Sequence, residues 1–222
     1  MTTIPPIRSL EQLAQLDTCA VSDALDTLGL PGSTVTPQQV AGSIRICGIA
    51  TTVLLEPGKA PETAQKVHLC ARAIDASTTD HIIVIQHPGI DAGGWGGVLS
   101  FAAQYKGVKG AILNGPSRDI DEARDLGFPL YATGGITRTA RGRLHESATN
   151  IPVTIDGVTV SPGDFVIADA TGVVFIQAAE IERVLDKAEA ITRREQQMIR
   201  ALKSGKKTVE VLGADYEDLL KN

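Results

Sequence analysis

The chain has 222 residues, 43% of them hydrophobic but only 4% aromatic, and carries a formal net charge of −5. That length suits one large domain, or a domain with an appendage, whose core is packed by aliphatic side chains rather than rings. The acidic balance argues against a nucleic-acid or anionic-membrane surface, and no apolar run reaches the ~18 residues of a membrane span. Cys19, Cys47 and Cys70 make no CxxC pair and no even disulfide set, and MTTIPPIRSLEQL lacks the regions of a signal peptide. A reducing cytoplasm is the expected compartment.

Residues 9–30 read as helices. Leu10, Leu13 and Leu16 give one stripe, and Ser22-Asp23 begins a second helix, as a cap, with Ala24, Leu25 and Leu28 on one face. Gly29 ends it. Residues 44–55 are β-rich and interrupted by Gly48, and Glu56-Pro57-Gly58 is a turn. Residues 62–76 read as a helix carrying His68, with Val67, Cys70, Ala71 and Ile74 inward.

The most informative stretch runs from His81 to Tyr131. Ile82–Ile85 is a short, unbroken apolar run, the mark of a fully buried strand. A loop with Gly89, Gly93, Gly94, Gly96 and Gly97 follows, then a helix over Val98–Tyr105 stopped by Gly107. Lys109–Leu113 is a second buried strand, ended by the turn Asn114-Gly115-Pro116 and followed by Arg118-Asp119. Strand, glycine loop, helix and strand form a parallel crossover. Its geometry puts both loops beyond the same carboxyl edge, where open α/β sheets bind ligands.

That edge can support a definite chemistry. The helix start offers unpaired amides to a small anion, Arg118 a planar two-pronged cation, Asp119 a hard oxygen ligand, and Glu122 a second carboxylate one turn on. Together they suit a 2-oxo acid bound to Mg²⁺ or Mn²⁺. Alternatively, the glycines only make tight turns and Arg118-Asp119 is an ordinary surface ion pair. No HxH or HExxH spacing supports zinc, no G-x-S-x-G supports a hydrolase, and GGWGG has neither Rossmann spacing nor a Walker lysine. His87 is read as loop polarity. Trp95 either walls a pocket or buries its ring against a neighbouring subunit.

Beyond the crossover, TGGITRTARG (133–142) is glycine-rich and basic; Arg138, Arg141 and Arg143 either close over a distal carboxylate or are solvated. Residues 151–176 return to strands, with an Asp-Gly hairpin turn at 156–157, and are expected to form a second sheet. A long helix spans 178–203 with Ile181, Val184, Leu185, Ala188 and Ile191 on its stripe, resumed at Met198 and Leu202. Glu195 falls on that stripe, where a buried carboxylate needs a partner; otherwise it is solvated. The tail from Lys206 carries an apolar thread of Val209, Val211, Leu212, Tyr216, Leu219 and Leu220, a pattern that fits an arm on a partner.

Gly97, twenty intervening residues, Arg118-Asp119, two residues and Glu122 resemble the G-X20-R-D-X2-E signature of the RraA-like family. That family includes the regulator of ribonuclease activity A and the 4-hydroxy-4-methyl-2-oxoglutarate / 4-carboxy-4-hydroxy-2-oxoadipate aldolases, class II pyruvate aldolases. SDALDTLG (22–29), GIATTV (48–53), LGFPLYATG (126–134) and PGDFVIADATGVVFI (162–176) extend the similarity over residues 20–177. The resemblance implies an α/β fold, a β/β/α sandwich with a mostly parallel central sheet, in a homotrimer or homohexamer. It implies a catalytic domain over 1–177 and a helix and arm over 178–222 that packs on a neighbouring subunit. It further implies a divalent-metal-dependent carbon–carbon lyase on 2-oxo acids, an oxaloacetate decarboxylase or a pyruvate-releasing aldolase. Gly97, Val98, Leu99 and Arg118 would then hold the substrate, with Arg118 also catalytic, and Asp119 the metal. Glu122 and Glu195 would stand around the metal's water, Glu195 in an adjacent subunit as in the long-form aldolases. One position departs: the aldolases carry an aspartate where this chain has Gly97, as the regulators do. Decarboxylation is therefore expected over efficient aldol cleavage. The other readings are a non-catalytic regulator binding a ribonuclease or helicase, and a sugar-acid lyase or dehydratase.

Overall fold

The computed structural model describes residues 7–62 and 67–213; Tyr216, Leu219 and Leu220 of the expected thread lie outside them. The N-terminal third has α1 (Ile7–Leu13), α2 (Thr18–Leu28), β1 (Gln38–Ala41), β2 (Ile46–Pro57) and α3 (Ala71–Ala76). Next come β3 (His81–Gln86), α4 (Gly97–Lys106), β4 (Ala111–Leu113), α5 (Ile120–Leu126) and β5 (Leu130–Ala132). The rest is β6 (Leu144–Thr149), β7 (Val153–Ile155), β8 (Val158–Val160), β9 (Phe165–Ala168), β10 (Val173–Ile176), α6 (Ile181–Lys203) and α7 (Thr208–Val211).

The fold is α/β. One sheet runs β1-β5-β4-β3-β2-β9-β10, with β6 also on β2. It is parallel at its centre, through β2–β3, β3–β4 and β4–β5, and antiparallel towards both flanks. Along β3 the side chains alternate between two cores: Ile83 and Ile85 meet Leu99, Ala103 and Phe128, while Ile82 and Val84 meet the β7–β8 hairpin. All four are fully buried, each contributing roughly 1.5–3 kcal/mol. Helices cover one face and the hairpin the other, a β/β/α layering. Only β7–β8 makes a second sheet; β9 and β10 join the main one, because Gly48 and its neighbours on β2 pair with β9.

Two helix boundaries differ from the sequence reading. The cap of α2 is Asp17, whose carboxylate accepts the Ala20 N–H at 2.8 Å, so Ser22 and Asp23 lie inside the helix. Residues 67–70 precede α3 rather than forming part of it, since Cys70 sits at φ 63° and interrupts any helix there. At the other end, Ile181, Val184, Leu185, Ala188 and Ile191 pack into a third core with α1 and α2. Past Ile191 the stripe is only half-buried at Met198 and Leu202. Among the described residues no helix is long and apolar enough to cross a membrane.

Candidate active site

The loops after β3, β4 and β5 leave the sheet at one edge and are laced together there. Single bridges join Trp95 to Ser117 and Ser117 to Gly135. Arg118 N–H donates to the Trp95 carbonyl at 3.0 Å, Gly94 to Pro116 at 2.9 Å, and Gly93 to Arg138 at 3.0 Å. The crossover read from the sequence is present, with α4 ending at Gly107 in the left-handed region.

The glycines do more than turn the chain. Gly89 takes φ 74° in open space, but Gly93, Gly96 and Gly97 lie under the site's side chains. A Cβ at 93 would stand 2.6 Å from Arg118 Cγ, at 96 2.9 Å from Asp119 Oδ2, and at 97 1.7 Å from Glu122 Oε2. So the glycine floor and Arg118, Asp119 and Glu122 fit one another. Asp119 itself sits at φ 55°, ψ 41°. That conformation costs an ordinary residue roughly 1–2 kcal/mol and an aspartate less, and such outliers gather at functional sites. Arg118 Nη2 lies 3.8 Å from Asp119 Oδ1, so the ion-pair reading also holds, as part of this arrangement.

The first turn of α4 supplies the anion site. Its amides have no intrahelical acceptor. Gly97 N–H is taken by Asp119 Oδ2 at 3.1 Å, which leaves the Val98 and Leu99 amides for a ligand. They open on a cavity of about 200 Å³, lined also by Arg118, Asp119, His68, Thr139 and Ala140. Among the described residues no three His, Cys, Asp or Glu side chains form a ready metal cage. Asp119, with Glu122 beside it, still fits Mg²⁺ or Mn²⁺, which usually take one or two carboxylates and complete their sphere with water and substrate.

Buried neighbours hold this shape. The His87 imidazole bonds the Ala92 carbonyl through Nε2 (2.9 Å) and the Gly89 N–H through Nδ1 (3.1 Å). Burial holds it below the usual imidazole range, partly offset by the Ala92 bond. It braces the glycine loop as a neutral ring, more than loop polarity. Trp95 is buried within its own subunit, stacked on Phe128 at 6.1 Å, with Nε1–H donated to Ser100 Oγ. Arg138 pairs with Asp91 at 3.8 Å on the surface.

His68 was missed as a site residue, because the sequence placed it on a helix. It lies in the turn before α3 and reaches the cavity. The Glu146 carboxylate fixes that turn from β6, accepting Cys70 N–H at 2.6 Å and Arg72 at 3.0 Å. Glu195, by contrast, is exposed, and no residue of α6 lines the cavity in this subunit. Partial burial where α6 packs on α2, then the charges of Asp17 and Asp23, pushes its carboxyl upward.

The family model described as RraA-like, Aldolase/RraA, matches residues 18–175. Protein DlpA of Legionella pneumophila is 31% identical over 208 residues, covering 93% of this chain and 33% of DlpA; the chain thus spans about a third of that relative's length. A protein of Halalkalibacterium halodurans, provisionally named 4-hydroxy-4-methyl-2-oxoglutarate aldolase, is 28% identical over 180 residues, 81% of each chain. Among solved structures, an uncharacterised Pseudomonas syringae protein superposes with TM-score 0.85 at 29% identity, over 95% of this chain and 100% of its own. Streptomyces coelicolor RraAS2, described as an unusual member of the RNase ES inhibitor RraA family, gives TM-score 0.77 at 23% identity, over 86% and 96%, a likeness of fold.

Proposed function

The chain belongs to the RraA-like (aldolase/RraA) family, and from that premise we propose that it is a carbon–carbon lyase acting on a 2-oxo acid with Mg²⁺ or Mn²⁺. The observation that carries this reading is the convergence of Arg118, Asp119 and the free amides of Val98 and Leu99 on one cavity. At about 200 Å³, that cavity is smaller than the ~300–1,000 Å³ of drug-sized sites, which suits a small acid.

The substrate's 1-carboxylate binds the Val98 and Leu99 amides and one prong of Arg118. Asp119 would hold the cation, with Glu122 placed to orient its water, and the cation would supply Lewis-acid polarisation of the 2-oxo group. Arg118 stabilises the negative charge that develops on the 2-oxo oxygen as the carbon–carbon bond breaks. Decarboxylation of oxaloacetate needs no base for bond cleavage, since CO₂ leaves directly. Aldol cleavage also needs a base for the C4 hydroxyl proton. With Gly97 in place of the aldolases' aspartate, we place decarboxylation first and aldol cleavage second. A sugar-acid lyase or dehydratase would use the same enolate chemistry, and a panel of 2-oxo and sugar acids separates these substrates. The regulator reading accords with Gly97 but leaves Arg118 and Asp119 of the cavity without a task.

Asp119→Asn keeps the size of the side chain but weakens a hard-cation ligand. Pyruvate release is expected to fall about tenfold or more at low metal, by analogy with ligand-support losses of 10–100-fold, and to recover in part at high Mg²⁺. EDTA should abolish wild-type turnover, and re-addition of Mg²⁺ or Mn²⁺ should restore it. Turnover insensitive to EDTA would remove the cation from the mechanism.

Glu195 enters this reading through assembly. In a homotrimer, or a hexamer of two, the half-covered end of α6 would carry it to the neighbouring subunit's cavity. Light scattering at micromolar concentration is expected to give a trimer or hexamer; a monomer would take Glu195 out of the site.

A further inference from the structure

We propose that His68 is the general base for aldol cleavage in this cavity, a role that rests on the lyase reading above. Three of the residues that line the cavity have ionisable side chains: Arg118, Asp119 and His68. Arg118 is a permanent cation and Asp119 is committed to the cation site and the Gly97 amide. His68 is what remains to accept a proton.

Its ring is set up for that task. Nδ1 lies 3.1 Å from the Leu69 carbonyl oxygen, which can only accept. Nδ1 therefore carries the proton and the neutral ring keeps its lone pair on Nε2. The backbone under it is fixed from two sides. Ala71 N–H donates to the His68 carbonyl at 3.2 Å. The Glu146 carboxylate, 4% exposed, grips the adjoining Cys70 N–H, Arg72 and the Thr149 hydroxyl.

In the cleavage step Nε2 takes the C4 hydroxyl proton. The O–H electron pair becomes the new C4 carbonyl bond and the C3–C4 bond breaks. Its pair moves into C2–C3 as the 2-oxo oxygen becomes the enolate oxygen beside Arg118. The imidazolium then returns its proton to C3, giving pyruvate and a neutral ring. Oxaloacetate has no C4 hydroxyl proton to remove, so its decarboxylation does not require His68.

The test compares His68→Gln with wild type on 4-hydroxy-4-methyl-2-oxoglutarate and on oxaloacetate, with Mg²⁺, in one coupled pyruvate assay. The aldol kcat is expected to fall at least ~100-fold, the scale of a lost general base, and at least about tenfold further than the kcat for decarboxylation. Imidazole added to His68→Ala should restore part of the aldol rate alone, a response that a packing defect would not give. Aldol turnover within threefold of wild type overturns the proposal, as does a parallel loss of both activities or a change confined to KM. A wild-type chain that decarboxylates but cleaves no aldol overturns it as well. A wild type inactive on every 2-oxo acid removes the lyase reading itself, and the base with it.

Discussion

Replacing Arg118 by lysine is expected to lower kcat/KM for pyruvate release by at least about 100-fold while leaving the fold intact. The side chain is 39% exposed and its stem lies against Gly93, so an ammonium has room and water. Charge is therefore conserved and folding little affected. What is lost is the planar fork, which in the proposed lyase would span the substrate carboxylate and the developing enolate at once. A hydrogen bond to a charged group is worth about 1.5–3 kcal/mol, and ~2.7 kcal/mol in the transition state is about 100-fold in rate. The loss should fall mainly on kcat, because the enolate charge exists only after the bond begins to break. Steady-state kinetics on a variant with unchanged melting temperature checks this. Wild-type rates in Arg118→Lys would mean that the chemistry lies elsewhere.

The second large effect concerns Gly97 and Glu122 as a pair. A Cβ on residue 97 would fall 1.7 Å from Glu122 Oε2 and 2.6 Å from Cδ, while Asp119 Cβ, at 3.2 Å, leaves just enough space. One volume can thus be filled by a carboxylate from either wall, but not from both. Glu122→Ala is expected to reduce turnover between about 10- and 100-fold, as for carboxylates that orient a metal's ligands. Gly97→Asp in the same chain should recover most of that loss, with the ratio of aldol cleavage to decarboxylation raised. Gly97→Asp alone forces the flexible Glu122 outward and crowds like charges, so both activities should drop. A double variant no better than Glu122→Ala would show that the two positions do not share a task. Gly97 begins α4, and its constraint is this carboxylate rather than a left-handed backbone.

What could be read in the sequence was what local pattern determines. Ile82–Ile85, the glycine run, the Gly107 stop and the Asn114-Gly115-Pro116 turn each signal their own structure within a few residues, so the crossover and its loops followed from them. What could not be read depends on groups far along the chain. Val67, Cys70, Ala71 and Ile74 have helical spacing, but a carboxylate from Glu146 takes the Cys70 amide and the turn goes with it. That contact spans 76 positions and places His68 at the cavity. Asp17 displaced Ser22-Asp23 as the cap because it stands one residue before the first helical turn, a signal present in the sequence and passed over. The strands over 165–176 were assigned correctly as strands and to the wrong sheet, since nothing in their pattern names β2 as the partner.

The floor of the cavity and its walls come from different kinds of contact. Gly93 and Gly97 lie within one strand–helix–strand unit and Arg118 and Asp119 in the loop directly after it, where short loop closures bring them together at little entropic expense. His68 and Leu69 on one side, and Thr139 and Ala140 on the other, arrive from outside that unit. In the lyase proposed above, the groups that would hold the carboxylate and the cation therefore belong to the crossover, while the base and the outer walls come from elsewhere in the chain. Substitutions at Thr139 or Ala140 would alter the cavity wall without touching the loops that carry Arg118 and Asp119.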